Sequence, residues 1–240
     1  MPECGARCAT CGPGLWTCGP VTLPDILSPL HQQILRLFFA GGAGQAFFLT
    51  GGTALAEFYL HHRYSEDIDL FTLDDEAFTL ASASLPAIAT ALGGVHEERV
   101  ATIHFRQVFL RVPGQPELKL DLVRDVGPQF GEHQRFGDII VDSMLNIAVN
   151  KLTALFGRAA PKDFVDLYFL LRAGFDLDEL MELAKVKDPG FSEFYFAGML
   201  REVHRVQHLP RMIEPLTVSE LQTFFAPLAE QVMLKARPPE

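Results

Sequence analysis

The chain has 240 residues, of which 48% are hydrophobic and 21% charged, so it can bury an ordinary core as one large domain or as a domain with a helical extension. Its 20 basic and 30 acidic residues give a net charge of −10, which excludes the broad positive field of a protein that coats nucleic acid but not a local basic groove. No apolar run approaches the roughly 20 residues of a membrane-crossing helix, and no signal sequence opens the chain, so we expect a cytoplasmic protein without a membrane partner.

The cysteines lie at one end of the sequence. All four, Cys4, Cys8, Cys11 and Cys18, fall within the first 18 residues, among frequent Gly and Pro. Four thiolates can complete a tetrahedral shell, so the spacing is compatible with zinc or an iron–sulfur cluster. The paired Cys-x2-Cys motifs of zinc ribbons are absent, which favours a tail whose cysteines bind nothing specific. We interpret residues 1–22 as an appendage and keep zinc as the alternative.

Helices and strands then alternate along the chain. Apolar periodicity and Gly or Pro breaks define each predicted element. In chain order they are a helix capped by Asp25 or Ser28 and ending at Gly41, a strand over 46–50, a helix over 53–60, a strand over 67–71, a helix over 76–92, and strands near 95–101, 103–112 and 117–123.

From Ser143 onward the apolar period is helical. One apolar stripe begins at Leu145 and a second at Phe164, and helical patterns continue to Val232. The sequence therefore predicts an α+β fold, with a mixed sheet and flanking helices in residues 23–142 followed by an all-helical domain in residues 143–240.

A strand that runs into Gly51-Gly52, with a helix beginning at Thr53, is the first candidate site. Glycine lets the backbone approach a ligand closely, and the first N–H groups of a helix are unpaired donors with a partial positive charge. Such a turn suits a phosphate group. The alternative is an ordinary tight turn.

Three acidic residues form the second candidate. Asp67 and Asp69 are two apart on a predicted strand, so both carboxylates project from one face, where they repel each other unless a cation or solvent intervenes. If the strand that carries Asp121 lies alongside, three carboxylates converge and can hold two Mg²⁺ ions for a displacement at phosphorus. The alternatives are a solvated strand edge for the first two, and a salt bridge with Lys119 or an arginine for Asp121.

Charged residues also recur on the helices that follow. Lys151 and Arg158 are seven apart, so they share a helix face and can reach a phosphate across a cleft. Asp163 and Asp166 are three apart on the next predicted helix. The alternative for Asp166 is a salt bridge with Lys151 that holds the two helices in register.

Two residues in the loop before the acidic strand complete the candidates. Arg63 can pair with a phosphate or with the neighbouring Glu66. Ser65 can cap the entry to the strand. We include both among the candidate nucleotide-binding residues.

These motifs resemble those of a known enzyme family. Gly51-Gly-Thr, 13 further residues, Asp67-Ile-Asp and a later Leu-Asp-Leu strand around Asp121 resemble the DNA polymerase β-type nucleotidyltransferase superfamily. Together with the block from Asn150-Lys-Leu-Thr-Ala-Leu to Pro161-Lys-Asp-Phe-Val-Asp-Leu, they are similar to the AbiEii/AbiGii toxin family. The likeness is good over residues 45–172 and general beyond, and it does not include the cysteine-rich tail.

The resemblance implies a nucleotidyltransferase fold with a helical C-terminal domain, and a toxin that uses a nucleoside triphosphate (NTP) and is opposed by a separate antitoxin. Some relatives add nucleotides to the acceptor end of tRNA. The residues carried over by motif are Gly51, Gly52 and Thr53 for the triphosphate, Asp67, Asp69 and Asp121 for metal, and Lys151 and Asp166 as later catalytic residues.

We therefore expect a Mg²⁺-dependent enzyme that transfers a nucleotide from an NTP to a hydroxyl of RNA, such as tRNA, or of a protein, with Asp121 as the candidate general base. The net charge argues against a large nucleic-acid footprint, whereas Lys151, Arg158 and Lys162 can grip one acceptor end. The alternative is a catalytically silent fold that binds a nucleotide or a partner chain. Loss of the three carboxylates would be its signature, and all three are present.

Overall fold

A mixed sheet of seven strands is the centre of the fold in the computed structural model, which describes residues 26–236. The strands are β1 (Phe47–Thr50), β2 (Ile68–Thr72), β3 (Val95–Ala101), β4 (Phe105–Arg111), β5 (Leu118–Arg124), β6 (Gln134–Phe136) and β7 (Ile139–Val141). The helices are α1 (Pro29–Ala40), α2 (Gly51–Leu55), α3 (Asp75–Ala91), α4 (Met144–Arg158), α5 (Pro161–Arg172), α6 (Leu177–Lys187), α7 (Glu193–Arg201) and α8 (Val218–Lys235). Their arrangement confirms the α+β class.

The sheet places the predicted site strands side by side. Its order is β3-β4-β5-β2-β1-β7-β6, with β2 parallel to β5 and β1 parallel to β7, and the other neighbours antiparallel. Asp69 lies opposite Thr50 on one side and opposite Asp121 on the other. Because side chains opposite each other project from the same face of a sheet, the candidate residues of three strands meet at its centre.

Local sequence explains where the main helices begin. The Ser28 side chain accepts a hydrogen bond from the His31 backbone and caps α1, so it is Ser28 of the two predicted caps that begins this helix. The Ser143 side chain caps α4 in the same way through the Asn146 backbone. The apolar stripes of α4 and α5 are buried, since Leu152 and Phe164 are both completely inaccessible.

Two boundaries differ from the prediction, and two strands were not predicted. The helix after β1 begins at Gly51, two residues early, and continues after Leu55 as a π-helical turn over Ala56–Leu60. Strand β2 begins at Ile68, so Asp67 immediately precedes it. Strands β6 and β7 were not predicted, because three residues each are too few for an alternating pattern.

The helical part packs onto the sheet through a continuous apolar core. This core includes Leu49 and Leu70 of the sheet and Leu152, Phe164 and Phe225 of the later helices. The domain boundary at residue 143 stays a prediction. No helix among residues 26–236 is long and apolar enough to cross a membrane. The cysteine-rich segment and its zinc alternative lie outside the described residues.

Candidate active site

The turn from β1 into α2 requires glycine at both of its first positions. Gly51 has a φ of +72°, and a Cβ there would lie 2.1 Å from Asp69 Oδ2. A Cβ at Gly52 would lie 2.5 Å from a guanidinium nitrogen of Arg63. Positive φ is strained for other residues, and a Cβ at either glycine would displace a side chain of the site. The glycines therefore let the helix start directly beside the acidic strand.

Thr53 holds the loop before β2 against this turn. Its side chain is completely buried, and its hydroxyl donates to the backbone carbonyl of Asp67 and lies 2.9 Å from Ser65 Oγ. Both predicted nucleotide-binding hydroxyls, Thr53 and Ser65, thus contact each other in this structure. Their contacts fix the position of the Asp67 backbone.

Two of the three predicted acidic residues contact one lysine. Lys119 Nζ lies 3.0 Å from Asp67 Oδ2 and 3.2 Å from Asp121 Oδ2. The sequence left open whether Asp121 faces a metal or forms a salt bridge with Lys119, and the salt bridge is present. Burial would lower the pKa of Lys119, but Asp67 and Asp121 outweigh this effect and raise it.

Asp69 faces a different environment from its two acidic neighbours. Burial raises the pKa of its carboxyl; Lys151 opposes the rise, and Asp121 adds to it. An ionised Asp69 at neutral pH therefore has a free-energy cost that a bound cation would relieve. Asp121 Oδ1 is also buried, and it has no hydrogen-bond partner among residues 26–236.

A cleft of about 370 Å³ opens beside Asp69, between the sheet and α4. Its polar lining includes Gly51, Asp69, Asn150, Lys151 and Arg158. Lys151 and Arg158 thus share one face of α4, as their spacing predicts. The cleft combines one acidic wall with one basic wall.

Asp166 lies behind Lys151 and does not line the cleft. Its carboxylate is completely buried and accepts hydrogen bonds from Arg63 Nε at 2.6 Å and Nη2 at 2.8 Å. Lys151 Nζ and His62 Nε2 each lie 2.8 Å from the same carboxylate. Burial alone would raise the pKa of Asp166, but Lys151, Arg63 and His62 hold it well below its usual value.

This network changes how two of the sequence candidates are interpreted. The alternative that the sequence left open for Asp166, a salt bridge with Lys151, is present. Arg63 pairs with Asp166, not with Glu66, and only 3% of it is exposed, so in this structure it supports Lys151 from behind.

Asp163 supports Arg158 in the same manner. The carboxylate is completely buried, and Arg158 donates to it from Nε at 2.7 Å and from Nη2 at 2.8 Å. The Arg158 side chain is 54% exposed and remains accessible at the rim of the cleft. The two aspartates of α5 therefore each position one cation of α4.

A further buried acid, which was not among the residues predicted from the sequence, supports the turn. Asp142 is completely buried and accepts hydrogen bonds from Thr50 Oγ1 at 2.7 Å and from Asn146 Nδ2 at 2.9 Å. Lys187 Nζ donates to Asn146 Oδ1 at 2.9 Å. The sequence signal that could have identified it was an acidic residue placed between a short apolar strand and the residue that caps the next helix. Asp142 fixes Thr50, the residue before Gly51.

Comparisons with known proteins give the family and the fold. The family model described as nucleotidyl transferase AbiEii toxin, type IV TA system, matches residues 33–237. The chain is also 31% identical over 160 residues to the uncharacterized protein aq_aa25 of Aquifex aeolicus (strain VF5), a match that covers 65% of this chain and 73% of that protein.

Two solved structures share the fold. MenT4, the nucleotidyltransferase toxin Rv2826c from Mycobacterium tuberculosis H37Rv, superposes with a TM-score of 0.58 at 15% identity, covering 87% of this chain and 92% of that one. JHP933 from Helicobacter pylori superposes with a TM-score of 0.52 at 18% identity, covering 88% and 94%. At these identities the likeness establishes the fold.

Proposed function

Because the chain belongs to the AbiEii family of nucleotidyltransferase toxins, we propose that it transfers a nucleotide from an NTP to a hydroxyl group of an RNA, such as tRNA, or of a protein. The observation that carries this proposal is the cleft with Asp69 on one wall and Lys151 and Arg158 on the other. A type IV toxin–antitoxin family also leads us to propose a cognate antitoxin as partner and the cytoplasm as the site of action.

Asp69 and Asp121 fit a divalent metal ion such as Mg²⁺. They are neighbours on parallel strands, and Asp121 Oδ1 is a buried acceptor without a hydrogen-bond partner among residues 26–236. Within that range no three His, Cys, Asp or Glu side chains are placed to hold a metal by themselves. Mg²⁺ commonly binds through one or two carboxylates plus substrate phosphates and water. When bound, it would neutralise charge on the triphosphate.

The cations of the cleft provide the protein's own contacts to the triphosphate. Lys151 and Arg158 bind its phosphate oxygens, and their buried partners Asp166 and Asp163 hold them in place. Preorganised charge of this kind is the main protein contribution to phosphoryl and nucleotidyl transfer. The acceptor oxygen then attacks the α-phosphorus, its proton passes to Asp121, and pyrophosphate leaves.

The acceptor is best supported as one end of an RNA molecule. Arg158 lines both the main cleft and an adjoining pocket of about 260 Å³ that also contains Arg205. Lys162 is exposed nearby and lies 4.0 Å from Asp67 Oδ2. A few cations on a chain of net charge −10 suit a short contact with one phosphate-bearing end rather than a long footprint.

Label transfer tests this function directly. The purified chain is incubated with each α-³²P-labelled NTP, Mg²⁺ and total RNA or cell extract, and the products are separated on gels. We expect one NTP to label an RNA or protein band, and we expect Asp69→Asn or EDTA to abolish the labelling. Glu230→Gln, which removes one exposed acid of α8 that does not line the cleft, is the matched control. Absence of labelling with all four NTPs would contradict the proposal.

Thermal melts of the same variants provide a second readout. Because the raised pKa of Asp69 means that its ionised form destabilises the folded state at neutral pH, Asp69→Asn should melt no lower than wild type without ligands. Mg²⁺ and NTP should raise the melting temperature of wild type and of Glu230→Gln but not of Asp69→Asn. An Asp69→Asn protein that is destabilised alone, beside a wild type that gains nothing from Mg²⁺-NTP, would refute a ligand-binding role for this acid.

A further inference from the structure

Lys119 lies among the three acidic residues of the site. Strands β2 and β5 run parallel, with Asp69 opposite Asp121. Since side chains two apart on a strand share a face, Lys119 projects on the same side of β5 as Asp121 and next to Asp67. Its Nζ contacts one carboxylate oxygen of each, at 3.0 Å for Asp67 and 3.2 Å for Asp121.

Positive charge stabilises this point of the fold. Asp67 and Asp121 both place a carboxylate oxygen here, and neighbouring carboxylates repel one another unless a cation lies between them. Two-metal nucleotidyl transfer places two divalent ions there. In this chain the ammonium group of Lys119 already bridges two of the three carboxylates, and only 27% of the side chain and 13% of that of Asp121 are exposed.

Asp121 and Asp69 each keep a carboxylate oxygen outside the Lys119 contacts. Asp121 Oδ1, the oxygen that does not contact the lysine, is buried and unpartnered among residues 26–236. Asp69 Oδ2 lies beside Gly51, 2.1 Å from the place that a Cβ would take. These two oxygens belong to neighbouring residues of parallel strands.

We propose that Lys119 is a resident cation that takes the place of one of the two metal ions, so that the chain binds a single divalent ion through Asp69 and Asp121. This inference rests on the metal dependence in the proposed function. It makes Lys119 a positioning residue, which holds Asp67 and Asp121 together before metal and nucleotide arrive. It also replaces the two Mg²⁺ ions expected from the sequence by one.

Counting bound ions by native mass spectrometry tests the inference. The full chain is mixed with Mn²⁺ and a non-hydrolysable NTP analogue, and the ions per chain in the nucleotide complex are counted. We expect one Mn²⁺ for wild type and two for Lys119→Met, which keeps the apolar stem but removes the charge. Lys162→Met is the matched control, because that lysine is 44% exposed and only approaches Asp67 at 4.0 Å, so it should retain one ion.

A measurement on the metal-free protein gives an independent readout. In EDTA at low ionic strength, Lys119→Met should melt below wild type, since Asp67 and Asp121 then lose the cation that they share. Mn²⁺ should bring the melting temperature of the variant back toward that of wild type. Lys119→Gln, with a polar neutral side chain, repeats both measurements if Lys119→Met fails to fold.

The outcomes separate this inference from the proposed function. Any of three results would overturn the role of Lys119 while leaving metal dependence intact. They are two Mn²⁺ ions on wild type, a single ion on both Lys119 variants, or Lys119 variants that melt no lower than wild type in EDTA. A wild type that binds the analogue without any Mn²⁺ would instead overturn the metal dependence itself and the inference with it.

Discussion

Replacing Asp166 with asparagine leaves two buried cations, Arg63 and Lys151, beside a neutral side chain. Asp166 is completely buried, and Arg63 and Lys151 are only 3% and 7% exposed, so neither cation can regain its hydration without local unfolding. Removing one partner from a buried ion pair typically costs about 3–5 kcal/mol. For a chain of 240 residues, about 2–4 °C per kcal/mol converts this to a melting temperature lower by about 6–20 °C.

Asp163→Asn is the matched control for this variant. The two acids are three residues apart on α5 and equally buried, but the partner of Asp163 is Arg158, whose side chain is 54% exposed. Arg158 can therefore be solvated when its partner is lost, and we expect a cost nearer about 1–3 kcal/mol. Urea unfolding followed by circular dichroism gives both free energies. Equal losses for the two variants would refute the argument that Asp166 holds buried cations.

The pH dependence of the stability difference between wild type and Asp166→Asn gives a further check. The pKa of Asp166 is held well below its usual value by Lys151, Arg63 and His62, which outweigh burial. A depressed folded-state pKa contributes stability that is present above the unfolded-state value of about 3.9 and is lost as the pH falls through the folded-state value. The gap in unfolding free energy between wild type and Asp166→Asn should therefore be full at pH 7 and shrink below about pH 4. A gap that stays constant down to pH 2 would contradict this assignment.

Two further substitutions test the turn after β1. Gly51→Ala should lower the unfolding free energy by at least about 1–2 kcal/mol, because φ is +72° and the new Cβ would collide with Asp69. Melting experiments should also show that NTP no longer stabilises this variant. Gly157→Ala is the control: no atom lies within 4 Å of its new Cβ, so its stability should not fall. Thr50→Val removes a donor to the buried Asp142 carboxylate and should cost about 1–3 kcal/mol in urea unfolding, and a variant as stable as wild type would show that Asp142 does not depend on this bond.

The sequence predicted most of the sheet because alternation is a local property. Residues 118–122 alternate leucine with a charged side chain, and Leu118, Leu120 and Leu122 of β5 are buried as that alternation predicts. Local alternation did not predict β6 and β7, which form a hairpin, because a strand of three residues is too short to show a period. The local sequence also placed the start of α2 two residues late, because glycine has a low helix propensity but is required here for space beside Asp69.

The candidate site was predictable in part for a related reason. The spacing of Gly51, Asp67 and Asp69 follows from one strand, one turn and the next strand, so it is visible within 19 residues of sequence. Lys151 and Arg158 share a face because seven residues make two helical turns. What the sequence could not decide was whether Asp166 faces a ligand or a lysine, since both possibilities have the same spacing.

The sequence by itself determined the fold class, the family and the identity of the charged residues. Strand alternation, helical period and motif spacing depend only on residues that are close together in the chain. Only the tertiary structure decided which charges neutralise one another. Asp166 meets Arg63 across 103 positions of the chain, and Thr50 meets Asp142 across 92. The free energy of a buried charge depends on every group packed around it, and those groups come from separate strands and helices. Packing therefore made Arg63 and Asp166 a support behind Lys151 and placed Lys119 between two acids.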